Sequence, residues 1–289
     1  MNQKTYALLF IILLNQLMSY SLLADMIHDA AMGGRDSFVR SLIEKDTSTL
    51  HKKNLNGYTP LRLALQYDQI KVIETILCNY ADFIDIKEMN NQRETLIFTA
   101  ANFSGLTSVQ LLINAGADPL ITNINKQSVM HATALSIHPE ASSIATLFIQ
   151  KKVPIDTKDI YDMTPLHIAS KSGNYDVSNL LLKNKANINA KDISGRTALH
   201  IAAENGKKRI VQLLLDHSAP FSEKCLNSGT ALHLAIQSNQ IETVGVLIQK
   251  RTIKELTIKN SDGKTPLRVA LELNRHEIIN LMIQAGVME

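Results

Sequence analysis

Three histidines, His167, His200 and His233, recur at a constant 33-residue step. A recurring imidazole invites a reading as metal ligand or proton carrier. His276-Glu277-Ile278-Ile279-Asn280 opens like the zinc-protease helix motif. That motif needs a second histidine one turn on, so that both ligands share a helical face, and Asn280 stands there instead. Lys207-Lys208-Arg209 is a tight basic cluster, readable as an anion site or as the solvated start of a helix. Asn102-Phe103-Ser104 fits the glycosylation acceptor pattern, which has meaning in a secreted eukaryotic chain. No glycine-rich phosphate loop, Cys-x-x-Cys pair or nucleophile elbow occurs in the sequence. The residues point to no catalytic group, metal site, cofactor or small-molecule substrate.

The elements around those histidines explain them better. Thr164-Pro165-Leu166-His167-Ile168-Ala169-Ser170 is echoed by Thr197-Ala198-Leu199-His200-Ile201-Ala202-Ala203 and by Thr230-Ala231-Leu232-His233-Leu234-Ala235-Ile236. A threonine oxygen accepts from the exposed N–H groups of a helix start, and proline next to it lacks an N–H that would be orphaned there anyway. Leu166, Ile168 and Ala169 form an apolar face, and Gly173 is suited to close the helix in a left-handed conformation. Val177, Leu180, Leu181 and Leu182 then mark a second amphipathic helix, followed by a turn-prone stretch over 186–192. Such a unit cannot bury its apolar side alone, so neighbours must stack.

Phrase and period together resemble the ankyrin repeat. The resemblance implies an all-α solenoid of helix–turn–helix units with projecting β-hairpin-like loops. It also implies that the recurring histidine bonds neighbouring backbone and ties one repeat to the next, and that His276-Glu277 merely opens a second helix.

With that unit as a ruler the chain divides into eight repeats, approximately 22–53, 54–89, 90–122, 123–158, 159–191, 192–224, 225–259 and 260–289. The first is worn, keeping His28, Ala30, Ala31 and the glycines without a Thr-Pro start, as suits a capping repeat. The loop over 82–93 is about three residues longer than standard, and a second insertion falls at 136–141 between the two helices of the fourth repeat. Ahead of the array, Lys4 and the apolar run from Tyr6 to Leu14 read as a signal peptide over residues 1–21, its boundary between 21 and 24. A capping helix and an uncleaved anchor are the alternatives, and membrane attachment belongs to the last alone.

Composition fits this frame. The chain is 45% hydrophobic and 20% charged, ordinary for a globular protein. Its 30 Lys and Arg stand against 27 Asp and Glu, for a net charge of +3, which falls further when Lys4 leaves with the leader. That balance gives no support for a nucleic-acid partner. Cys78 and Cys225 are too few for a disulfide framework. At about 8–10 Å per helix layer they lie roughly 40 Å apart, far beyond the about 7 Å a disulfide allows, so both are expected as free thiols.

Function must then lie on the surface that stacking creates. The resemblance implies a concave face of loop tips and first helices that grips another protein. Its loop tips are expected to expose Leu55, Tyr58, Ile160, Tyr161, Met163, Ile193, Arg196 and Lys264. The ends of its first helices are expected to expose Tyr67, Phe103, Lys171, Glu204, Asn205 and Glu272. Aromatics and arginine are the usual interface anchors. The expectation is a monomeric, non-enzymatic, exported binding module, a scaffold or effector. The alternative is a periplasmic or envelope-associated regulator or protector of an enzyme of the same organism.

Overall fold

The computed structural model describes residues 25–226, 229–249 and 251–288. The expected leader over 1–21, with its boundary at 21–24, lies outside the described residues. Among those residues the structure is helical, and no helix is long and apolar enough to cross a membrane. The helices come in pairs: α1 (25–32) with α2 (Asp36–Lys45), α3 (Pro60–Gln66) with α4 (Ile70–Asn79), and α5 (Leu96–Phe103) with α6 (Leu106–Asn114). Next come α7 (Val129–Leu135) with α8 (Ala141–Gln150), α9 (Pro165–Ser172) with α10 (Tyr175–Lys183), and α11 (Ala198–Glu204) with α12 (Lys208–Asp216). Then α13 (Ala231–Gln237) pairs with α14 (Ile241–Ile248), a short α15 (Ile253–Leu256) intervenes, and α16 (Pro266–Glu272) pairs with α17 (His276–Gln284).

Each first helix starts where a hydroxyl side chain can hold it. Thr59, Thr95, Ser128, Thr164, Thr197, Thr230 and Thr265 are the N-caps of α3, α5, α7, α9, α11, α13 and α16, all in extended backbone. Thr59 Oγ1 accepts from Arg62 N–H at 3.3 Å and Thr265 Oγ1 from Arg268 N–H at 3.2 Å. Proline sits at the first position of α3, α9 and α16. At the far end of α9, Gly173 takes a φ of +84°, the left-handed close that a Cβ would strain.

The helices form two compact units. Unit 1 comprises the described residues through Ile124 together with His138–Glu140, and unit 2 comprises Asn125–Ile137 and Ala141 onward. In unit 1, α3 packs on α5, and α4 lies between α2 and α6. In unit 2, α7, α9, α11, α13 and α16 stack in one layer, and α8, α10, α12, α14 and α17 in another. Between the layers lie fully buried side chains such as Ile144, Phe148, Leu181, Leu199, Leu214, Leu232, Leu247 and Met282. Each such aliphatic burial contributes about 1.5–3 kcal/mol relative to exposure.

Polar links cross the stack at both ends of the first helices. The N-cap of a second helix reaches back to the preceding first helix, whose last carbonyls have no partner within the helix. Gln69 donates to Met32 O at 2.8 Å, Asn174 to Ser136 O at 2.9 Å, Gln240 to Glu204 O at 3.3 Å and Arg275 to Gln237 O at 3.4 Å. At the loop tips a backbone ladder runs through unit 2: Ile160 N–H donates to Asn125 O, Ile193 N–H to Tyr161 O, and Leu226 N–H to Ser194 O, each at 3.0 Å. The loops are turns with isolated bridges, Met89 with Thr95 and Cys225 with Gly229, and no strand occurs among the described residues.

Both expected insertions are visible. A 3₁₀ turn over Ala81–Phe83 occupies the longer second loop. Residues 136–140 link α7 to α8, and His138–Glu140 belong to unit 1. There His138 Nε2 meets Asp68 Oδ2 at 3.2 Å, and Glu140 accepts from Leu106 N–H at 2.9 Å. A Cβ on Gly105 would come within 2.7 Å of that carboxylate. The extra helix α15 was not expected, although its start carries a signature: Thr252 and Glu255 form a reciprocal capping box.

Candidate functional site

The histidines are bound into the framework. The backbone N–H of the N-cap residue donates into Nδ1 of the histidine three residues on: Ser128 to His131 at 3.1 Å, Thr164 to His167 at 3.0 Å, Thr197 to His200 at 3.2 Å and Thr230 to His233 at 3.2 Å. An Nδ1 that accepts carries no proton, so Nε2 carries it and donates. It donates to a carbonyl of the following loop, Met163 O for His131, Ala190 O and Arg196 O for His167, Glu223 O for His200 and Lys264 O for His233, at 3.0–3.2 Å. All four rings are buried, and burial pushes each pKa below the ordinary histidine value, that of His200 down to about 4. A neutral ring with both nitrogens engaged has no capacity left for a metal or a substrate proton. Among the described residues, no group of three or more His, Cys, Asp or Glu is placed to hold a metal ion.

The other chemical candidates are likewise absorbed. Arg209 lies over the Tyr175 ring, its guanidinium carbon 4.6 Å from the centroid, and Lys208 pairs with Glu242. Two charges of the basic cluster thus have partners. The Ser104 hydroxyl of the glycosylation pattern is fully buried and donates to Leu65 O at 2.5 Å. His276 and Glu277 open α17 as scaffold. Cys78 and Cys225 are free thiols, the first exposed and the second buried.

The loop tips are rigidly presented. Asp159 Oδ1 accepts from Tyr161 N–H at 2.8 Å and Met163 N–H at 2.9 Å, and Asp192 Oδ1 accepts from Ser194 N–H and Arg196 N–H at 2.9 and 2.8 Å. These turns hold Ile160, Tyr161 and Ile193 outward, with 44%, 54% and 57% of their surfaces exposed. Beside them, Met163, Lys171, Arg196, Ile201, Glu204, Asn205, Ser238 and Gln240 line a concavity of about 460 Å³ within unit 2.

A family model described as ankyrin repeats matches residues 96–192, 191–258 and 227–288. The chain belongs to the ankyrin-repeat family. Its ankyrin repeats are similar to stretches of much larger proteins. A transient receptor potential cation channel subfamily A member 1 homolog of Caenorhabditis elegans is 30% identical over 153 residues, 53% of this chain and 12% of that protein. Inversin of Homo sapiens is 23% identical over 160 residues, 55% of this chain and 15% of that protein. The corresponding Drosophila melanogaster channel subunit is 25% identical over 161 residues, 53% of this chain and 13% of its own length. Ankyrin repeats are generally a non-catalytic fold that binds other proteins.

Within the ankyrin frame, the expected site residues separate into groups. Met163, Lys171, Arg196, Glu204 and Asn205 share the unit 2 concavity, with Ile160, Tyr161 and Ile193 on loop tips of the same unit. Tyr58, Tyr67 and Phe103 belong to unit 1, where Tyr58 lines a separate depression with Leu55 and Asn90–Gln92. Tyr67 and Phe103 are exposed, as is Lys171, whereas Tyr58, Met163, Arg196, Glu204 and Asn205 are half-buried. Arg196 is not a free anchor: it pairs with Asp192 and Glu204, each at 2.9 Å. Asn205 donates to Ile201 O at 2.9 Å within its own helix end. Lys264 and Glu272 likewise pair with each other at 2.6 Å.

Arg62 is the functional-looking residue that sequence reasoning passed over. It stands three residues after its N-cap, where other repeats carry the tying histidine, and only 2% of it is exposed. Its guanidinium meets Glu88 Oε1 at 3.1 Å, Thr99 Oγ1 at 2.7 Å and Glu94 O at 3.0 Å. Burial lowers its pKa and the Glu88 charge opposes that shift. Each guanidinium nitrogen has a protein partner, so Arg62 ties repeats together. In α16 the same register holds Arg268, exposed and paired with Glu272.

Proposed function

We propose that this chain is a non-enzymatic protein-binding module, that its helix pairs are eight ankyrin repeats within 22–289, and that a partner protein seats on the loop tips and first-helix ends of unit 2. The observation that carries this reading is the convergence of Met163, Lys171, Asn205 and Gln240 around one concavity, flanked by exposed Ile160, Tyr161 and Ile193. Aromatic and aliphatic side chains held outward by rigid turns lose little conformational freedom on binding. The Lys4 and Tyr6–Leu14 pattern supports export, so an exported scaffold or effector is the reading at the level of the cell.

Incorporating a photo-crosslinking amino acid at Tyr161, and separately at exposed Lys183 on α10, tests the surface in the native host. A discrete adduct from position 161 and none from 183 is expected. Adducts from 183 alone would place the partner elsewhere.

A further inference from the structure

We propose that the segment bound in the unit 2 concavity carries a carboxylate that pairs with Lys171, next to an apolar side chain that rests on Met163 and Tyr161. This rests on the protein-binding reading above and names the chemistry of its partner.

The argument comes from a register the repeats share. The residue before the N-cap and the residue eight positions later face each other across the mouth of a repeat. In one repeat these are Arg196 and Glu204, paired at 2.9 Å; in another they are Lys264 and Glu272, paired at 2.6 Å. Met163 and Lys171 occupy the same two places. Here the place opposite the cation holds a thioether, so this pair of positions contains no carboxylate.

Nearby carboxylates do not make good the deficit. Glu204, the carboxylate lining the concavity, is held by Arg196, as is Asp192, and Asp162 pairs with Lys158 at 3.4 Å. Among the described residues no acidic group is paired with Lys171. The concavity thus holds a cation with no acidic partner, Lys171, beside half-buried Met163 and the exposed Tyr161. An acidic residue adjoining an apolar one complements both. Reversing one charge turns an exposed attraction into repulsion, so the charge reversal should cost about tenfold in affinity.

A random-peptide display library selected on the full chain tests this. Selected peptides should be enriched in Asp and Glu adjoining an apolar residue. Their affinity should fall about tenfold on Lys171→Glu and persist in Lys171→Arg, with thermal melting unchanged in both. Peptides with no acidic enrichment, or affinities indifferent to Lys171→Glu, would overturn the proposal. The Tyr161→Ala/Met163→Ala variant separates the two readings. Peptides sensitive to it but indifferent to Lys171 would leave the binding surface standing and sink the charge pairing. Peptides indifferent to all of these changes would sink both.

Discussion

Arg62 and His200 show how one register solves one problem with two side chains. Both reach from the start of a first helix to carbonyls of the next loop, but the histidine does so neutral and the arginine charged. Removing the arginine alone strands the partly buried Glu88. Arg62→Met is therefore expected to cost about 3 kcal/mol in urea unfolding, and the Arg62→Met/Glu88→Met double variant should regain most of it. Equal loss in the single and double variants would mean that packing around Arg62, not the ion pair, matters. The tying role of His167, His200 and His233 was legible because the motif and its period are regular. Arg62 was not, since a charge at that place reads as surface until Glu88, 26 positions on, is known to turn inward.

At the scale of elements, the N-cap hydroxyls and the αL close at Gly173 could be read directly, because each satisfies local backbone groups with local side chains. Thr197→Ala should lower stability by about 1 kcal/mol, measured by denaturant unfolding. Leu199→Asp should do far more, since it buries an unpaired charge between stacked helices, and an unchanged melting curve would contradict the stacking. The links that escaped the sequence are the non-local ones. Gln69, Asn174, Gln240 and Arg275 reach a carbonyl 36–38 positions earlier, and nothing around them announces the acceptor. The tip of the 136–140 insertion likewise found its place through Asp68, 70 residues before His138. Only α15 left a local trace, in Thr252 and Glu255, that a closer reading would have caught.

Across the molecule, the neutral histidines gather in unit 2, whereas the corresponding places in unit 1 hold His28, Arg62 and Phe98. The folded-state pKa values of His131, His167, His200 and His233 all lie below the unfolded value near 6.5. The unfolded chain therefore takes up these protons first, and stability is retained above that pH and lost as pH falls below it. For His200, whose pKa reaches about 4, the loss is on the order of 3 kcal/mol when the full window is crossed. Hydrogen exchange between pH 7 and 5 should show protection falling in α9–α14, and His200→Gln should weaken the pH dependence. A flat profile would mean that the rings titrate alike in the folded and unfolded chain.

The binding surface was half legible: periodicity marked which positions face outward, while the pairing of Arg196 with Glu204 and of Lys264 with Glu272 lay beyond any reading of spacing. That surface is the central claim, and one comparison tests it most directly. The affinity of the partner recovered by crosslinking at position 161 is measured for the wild-type chain and for Tyr161→Ala/Met163→Ala, alongside their melting curves. Loss of two such contacts is expected to weaken binding by at least about tenfold with melting unchanged. Equal affinities for the two chains would contradict the assignment of this face as the place where the partner binds.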